Sequence, residues 1–530
     1  MFMLGKRRWA LPAAPVVALA AIAAVLPAPA AWARAQAQSS GTGPAPVPAR
    51  YAHQRLTWHP CDEWPTLECA TMTAPRDWHH PGTGPDISVE VSRHLATGPA
   101  AERRGVLMTA AGGPGGTGLG RPTGIVKYAP RVAAAYDVVS FDQRGVGRST
   151  PAHCQTPAEF KDFYAHDLRD RSPAAIQGVL DRSRAMAENC QRRTGGLLPY
   201  LTTEQTARDM DLYRSLLGAE KISYYGGSYA TKVGAYYATV FPRRVRRAVL
   251  DSNIDFTAGM DQWESGQPRS FQRRFEQDFL PWLAKYDSVY HYGRTAAEVR
   301  AKWEARRRAL HDRPLTVGTS VIGPNQLDNG TIQAIYKAAG FPVLARALAA
   351  LDHWDTATAD ERALVPHVFD SYQSKEFAAE FFSVTCNDNA WSHDIGHWVE
   401  RSARDARKYP LVGPRELAYA ATCAYWPDTA APQVNVTGEG LPPTLMLNSL
   451  RDPATYYEGA VAAHRGLRGS RLVTVEGGDH GQYLNGNPCV DSLVEKYLFD
   501  GDLPAHDTTC PAPPLPGPSE ISHRSAATRT

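Results

Sequence analysis

Three residues far apart in the chain carry side chains that could together perform acyl transfer. Ser228 follows an apolar run and two glycines in KISYYGGSYATKVGAYYATVFP (221–242), Asp452 closes the run TLMLNSLRDP (444–453), and His480 stands among glycines in VEGGDHGQ (475–482). A serine hydroxyl is a weak nucleophile near neutral pH. It needs a histidine to take its proton and a carboxylate to orient that histidine. Asp479 is a second candidate for the acid, but a neighbour in sequence cannot easily reach the far ring nitrogen of His480, which favours Asp452.

The tetrahedral intermediate of such a reaction needs backbone N–H donors for its oxyanion. Tyr229, next after the serine, offers one; the glycine-rich loop AGGPGGTG (111–118), which follows the apolar run Val106–Thr109, offers another through Gly112 and Gly113. No lysine follows these glycines as a phosphate-binding loop would require. Serine, acid and base in this chain order, each after an apolar run, match the arrangement of α/β-hydrolases, whose serine sits on a strained strand-to-helix turn of pattern G-x-S-x-G. Here Gly226, Ser228 and Ala230 take those places. One extra methyl and good helix propensity make Ala230 a tolerable variant. Residue 230 should then be buried and small against a neighbouring strand, with Ser228 in a strained backbone conformation.

The elements that must position these residues are legible as apolar runs. Ile87–Val91, Val106–Thr109, Tyr136–Phe141, Ile222–Tyr225, Val245–Asp251, Thr444–Asn448 and Leu472–Val475 read as strands, with helical patterns between several of them. One such helix covers 202–217, with Thr202 and Gln205 as a capping box. Alternation of this kind predicts an α/β fold with a mostly parallel sheet. From 257 to 440 the alternation gives way to helix formers and aromatics, as in 296–315 where Val299, Trp303 and Leu310 share a face. We expect a hydrolase core over 51–256 and 441–510, interrupted by a largely helical lid at 257–440.

The chain has 530 residues, with 57 Lys plus Arg against 54 Asp plus Glu, a balance that suggests no nucleic-acid partner. Residues 1–37 read as a signal peptide: Lys6, Arg7 and Arg8, an apolar run from Ala13 to Leu26, and small-x-small cleavage sites at 31–33 or 35–37. That run is short and bracketed by prolines, so no stable membrane insertion is expected after cleavage. Residues 38–50 read as a linker or short pro-segment and 511–530 as a disordered tail. The eight cysteines fall into neighbouring pairs, Cys61/Cys69, Cys154/Cys190, Cys386/Cys423 and Cys489/Cys510, one of 105 arithmetically possible schemes. No C-x-x-C spacing points to a metal, and four structural disulfides in an oxidising, extracellular setting are expected.

Several motifs together resemble the secreted tripeptidyl aminopeptidases, relatives of proline iminopeptidases. They are WHPCDEWPTLECATMTAPRDW (58–78), GGPGG (112–116), FDQRGVGRS (141–149), GGSYA (226–230), Asp452-Pro453 and DHG (479–481). The resemblance spans about residues 55–510 and departs from the family at Ala111, where histidine or asparagine is frequent, and at Ala230. It implies a serine exopeptidase that needs no cofactor and removes di- or tripeptides from free N-termini. It also implies a carboxylate for the substrate ammonium, for which Glu204 and Asp388 are both candidates. An esterase built on the same triad is the alternative, and a binding protein retaining an idle triad a more distant one.

Overall fold

The computed structural model describes residues 47–519, apart from 371, 428–430 and 432. The expected signal peptide and most of the linker, like residues 520–530, lie outside the described residues.

Among the described residues ten strands form one sheet: β1 (His59–Pro60), β2 (Glu68–Ala74), β3 (Ile87–His94), β4 (Gly105–Ala110), β5 (Tyr136–Phe141), β6 (Ile222–Ser228), β7 (Val245–Asn253), β8 (Leu445–Ser449), β9 (Arg471–Val475) and β10 (Thr508–Cys510). Their spatial order is β1-β2-β3-β5-β4-β6-β7-β8-β9-β10. Strands β1 to β3 pair antiparallel, as do β3 and β5, and every pair from β5 to β10 is parallel. Central parallel strands are covered on both faces, which is why β4 and β8 are mostly apolar and buried at nearly every position. The chain steps from β4 to β5 on one side and returns to β6 on the other. Loops leaving β4 and β6 therefore diverge at a switch point, where open α/β sheets place their sites.

Helix α1 (Thr203–Leu216) precedes β6, and α2 (Ala230–Val240) follows it. The Thr202 hydroxyl caps α1 by accepting the Gln205 N–H at 3.2 Å, but the Gln205 side chain does not complete the expected box. Its oxygen accepts instead from the Trp78 N–H at 2.9 Å, because the first turn of α1 is buried against the 75–78 segment.

Between β7 and β8 the chain is mainly helical from Met260 to Ala424, with one short hairpin at 315–322. This insertion has its own core of Phe271, Phe275, Trp303, Phe341 and their neighbours. Three of its helices matter below: α3 (Met260–Arg274), which runs on into a π-helical turn at Phe275–Phe279, α4 (Lys375–Asn387) and α5 (Glu416–Ala424). Disulfides join Cys61 to Cys69, Cys154 to Cys190, Cys386 to Cys423 and Cys489 to Cys510.

The start of the tail departs from the expectation of disorder. Trp282 and Tyr290 of the insertion donate to the carbonyls of Pro516 and Pro518, at 2.8 and 2.7 Å. A proline-rich strand makes few hydrogen bonds of its own, so its free carbonyls suit such docking.

No helix among the described residues is long and apolar enough to cross a membrane.

Candidate active site

Ser228 ends β6 with φ 61°, a left-handed conformation that side chains rarely adopt, and α2 starts two residues later. Ala230 is fully buried. The close helix-to-strand approach that a glycine at 230 would provide falls elsewhere. A Cβ on Gly226 would lie 2.5 Å from the Tyr224 hydroxyl oxygen, and one on Gly234 would lie 2.3 Å from the Tyr224 ring. Gly234 is one helical turn beyond Ala230, so the contact has moved along the helix rather than vanished.

The glycine loop after β4 packs directly on the serine. A Cβ on Gly112 would stand 3.0 Å from the Cβ of Ser228, while one on Gly115, at φ 104°, would stand 2.6 Å from the Phe377 carbonyl of α4. The FDQRG motif holds this loop from behind. Gln143 donates to the Ala111 carbonyl at 2.8 Å, Asp142 accepts from the Gly118 N–H at 2.7 Å, and Arg144 forms a fully buried ion pair with Asp209 at 2.8 Å. The first N–H groups of α2, that of Tyr229 beside them, point out of the helix start, where no intrahelical acceptor exists. The Tyr229 side chain itself is buried and meets the Thr203 hydroxyl at 2.7 Å.

Asp452 lies after β8, fully buried, and accepts the N–H groups of Ala454 and Thr455 at 3.0 and 2.8 Å. Its two oxygens stand 3.0 and 3.1 Å from Nδ1 of His480. With Nδ1 donating to the carboxylate, a neutral imidazole presents Nε2 as an acceptor, the tautomer a general base requires. The His480 backbone is held at several points. Its N–H donates to the Tyr336 carbonyl at 2.9 Å, and the Tyr336 ring stands edge-on to the imidazole at 5.4 Å. Gly481 N–H donates to the Ser252 hydroxyl at 2.7 Å, and the N–H groups of Gln482 and Tyr483 donate to Asp251 at 2.9 Å. Because β7 pairs with β6 so that Ser228 faces Asn253, these anchors put the histidine loop at the same sheet edge as the serine. Asp479, the other candidate acid, is taken up by Arg274 at 2.5 Å and by the Ala338 N–H at 2.8 Å.

A family profile described as TAP-like protein matches residues 409–510. The chain is 35% identical over 484 residues to the tripeptidyl aminopeptidase of Streptomyces coelicolor, covering 89% of this chain and 88% of that one. It is 27% identical to the serine protease Hip1 of Mycobacterium tuberculosis, covering 86% and 91%, and 30% identical to a carboxylesterase B of the same species, covering 86% and 89%. Among solved structures, a proline iminopeptidase of Mycobacterium smegmatis aligns at 13% identity and TM-score 0.36, covering 81% of this chain and 97% of that one. The chain belongs to the tripeptidyl aminopeptidase family of α/β-hydrolases. It is a serine peptidase.

Family membership makes the carboxylates near the site of interest, and the two candidates from the sequence are already occupied. Glu204 bonds His79 at 3.1 Å and also pairs with Arg208. Burial pushes its carboxyl up, but the His79 bond and the Arg208 charge outweigh burial and hold it below the ordinary value. Asp388 pairs with the buried Lys232 at 3.0 Å and accepts from the N–H and hydroxyl of Thr203. Each is neutralised by a cation of the protein. Neither offers a free carboxylate.

Glu264 on α3 is different. It is buried, and neither carboxylate oxygen has a hydrogen-bond partner among the described residues. Desolvation pushes it up to about 7, with the Arg415 guanidinium opposing. It lines a cavity with Asp261, Trp391, Trp398, Arg401 and Glu416. Its neighbour Trp263 donates to the Ala454 carbonyl at 3.0 Å, beside Asp452, and its charge is felt by Tyr336, which packs on His480. A single acid inside an amphipathic helix carries no sequence signal of this kind; only the fold reveals that it lacks a partner.

Proposed function

We propose that this protein is a secreted serine exopeptidase that releases di- or tripeptides from free N-termini through an acyl-enzyme on Ser228. In this reading His480 Nε2 takes the Ser228 proton as Oγ attacks the scissile carbonyl, and Asp452 orients the imidazole and stabilises its charged form. The N–H of Tyr229 and one from the Gly112-Gly113 loop hold the oxyanion. Collapse breaks the C–N bond, and the imidazolium gives its proton to the departing amine. Water, deprotonated by His480, then releases the short peptide and regenerates the hydroxyl.

The observation that carries the exopeptidase reading is the unpartnered carboxylate of Glu264. A buried anion without a partner is unfavourable in the free protein, and a substrate ammonium would satisfy it. The family relationship to tripeptidyl aminopeptidases supports the same substrate class. Four disulfides support an oxidising, extracellular location.

The test is a panel of chromogenic substrates of one to four residues, each with a free and an acetylated N-terminus, beside short-chain esters. The proposal expects cleavage of the free-amine di- and tripeptides but not of their acetylated forms, with esters turned over more slowly. A second reading, an esterase with the same triad, is favoured by the 30% identity to a carboxylesterase B. Equal turnover of free and acetylated substrates, with esters fastest, would establish it instead.

A further inference from the structure

We propose that Arg274 and Asp278 of the helical insertion are positioning residues that set the Asp452–His480 geometry, so that the insertion is part of the catalytic frame as well as a cover. The inference rests on the roles given above to Asp452 and His480.

Four side chains of alternating charge form one chain across the site. Arg451 Nε donates to Asp278 Oδ1 at 2.8 Å, Arg274 Nη1 donates to Asp278 Oδ2 at 2.6 Å, and Arg274 Nη2 donates to Asp479 Oδ1 at 2.5 Å. Arg451 immediately precedes Asp452, and Asp479 immediately precedes His480. The two members in the middle belong to the insertion and sit where α3 passes into its π-helical turn, an irregularity frequent at functional sites. Thus one end of the chain grips the residue before the acid and the other grips the residue before the base.

The contact is tight as well as charged. A Cβ on Gly478 would lie 2.2 Å from Arg274 Nη1 and 2.4 Å from Asp278 Oδ2, so the ion pair presses on the histidine loop where a side chain has no room. The Arg274 side chain is 1% exposed and that of Asp278 is 7% exposed. Removing one partner therefore leaves its neighbour buried without compensation, and the loops it held are free to shift. Two further bonds from the insertion reach the same loop, Tyr336 to His480 and Ala338 to Asp479, through backbone. These would keep His480 near its place when the side-chain link is cut. The expected defect is a small displacement, not collapse.

The experiment compares Asp278→Asn, which keeps shape and removes charge, with Arg451→Gln and Arg451→Lys, whose side chain is 31% exposed and tolerant of change. A serine-reactive phosphonate counts competent sites, so rates refer to folded, reactive enzyme only. We expect kcat to fall about tenfold to a hundredfold in Asp278→Asn and Arg451→Gln with KM nearly unchanged, the range that a displacement of about 1 Å produces, and Arg451→Lys to recover part of the loss. The pH midpoint of phosphonate labelling should shift in both slow variants, since it reports the basicity of His480. A kcat per competent site within about twofold of the parent in both variants overturns the proposal. His480→Ala is the control: full activity there would remove the underlying triad reading, whereas an inactive control with normal clamp variants removes this inference alone.

Discussion

Gly112 has no room for a side chain beside Ser228: a Cβ on the glycine would stand 3.0 Å from the serine Cβ and 3.6 Å from its Oγ. The proposed oxyanion loop and nucleophile are thus closely apposed before any substrate arrives. Gly112→Ala should displace the loop by a few tenths of an ångström and misaim its donors. We expect a loss of about tenfold to a hundredfold in kcat with unchanged thermal stability, compared by initial rates and melting. Wild-type kcat in this variant would show that the loop donates nothing to the oxyanion.

Ser228→Ala should abolish turnover and phosphonate labelling while leaving the fold intact by circular dichroism. Asp452→Asn keeps the shape of the acid but favours the wrong histidine tautomer. A fall in kcat of about four orders of magnitude is expected, as in other triads. A comparable fall in Asp479→Asn, with Asp452→Asn nearly normal, would exchange their roles.

Glu264 supplies a pH signature. Its carboxyl, pushed up to about 7 by burial, is neutral below that pH and charged above it. A free-amine substrate loses its own proton near 7.7 to 8.0, so its KM should be lowest between about pH 7 and 8 and rise on both sides. Glu264→Gln should remove the acid-side dependence and raise KM for peptides, leaving ester turnover unaltered. A parallel change for both substrate types would detach Glu264 from amine recognition.

Asp251 reads out in stability. Burial raises its carboxyl from 3.8 to about 6, against the opposing N–H bonds of Tyr483 and Gln482. The folded chain therefore holds this proton to higher pH than the unfolded chain. Its contribution is greatest below pH 3.8 and declines as pH rises to about 6. Relative to the parent, Asp251→Asn should gain roughly 2 to 3 kcal/mol over that window, measured by urea unfolding at several pH values. A constant difference across the window would mean that Asp251 titrates normally.

The displaced glycine contact separates two substitutions. Ala230→Gly should cost less than about 1 kcal/mol, the ordinary helix penalty, whereas Gly234→Ala forces a methyl into the Tyr224 ring and should cost about 1 to 3 kcal/mol. Denaturant midpoints distinguish the two. The reverse ranking would return the packing role to position 230.

The legible parts of this molecule were those written in local pattern. Buried parallel strands read as apolar runs, and β5 in particular spans the run Tyr136–Phe141 that periodicity marks out. Ser228, Asp452 and His480 stood out because each follows such a run. The partners of Glu204 and Asp388 were not legible, since His79 and Lys232 meet them only through the tertiary fold. The helix-rich composition of 257–440 covers Glu264 but says nothing of whether its carboxylate finds a partner. The docked tail was not legible for a related reason: the proline-dominated stretch 511–519 offers little for a core beyond Ala512 and Leu515, yet its carbonyls are what Trp282 and Tyr290 bind.

The placement of the insertion also fixes the order in which the site can come into being. Strand β7 ends at Asn253, and β8, which pairs with it, begins only at Leu445. A ribosome therefore releases the serine and its glycine loop long before the acid and the histidine, and long-range pairing of this sort forms late. On the proposed roles, an incomplete chain that stops short of Leu445 would hold the nucleophile without its acid and base, so the triad can form only once His480 has been added.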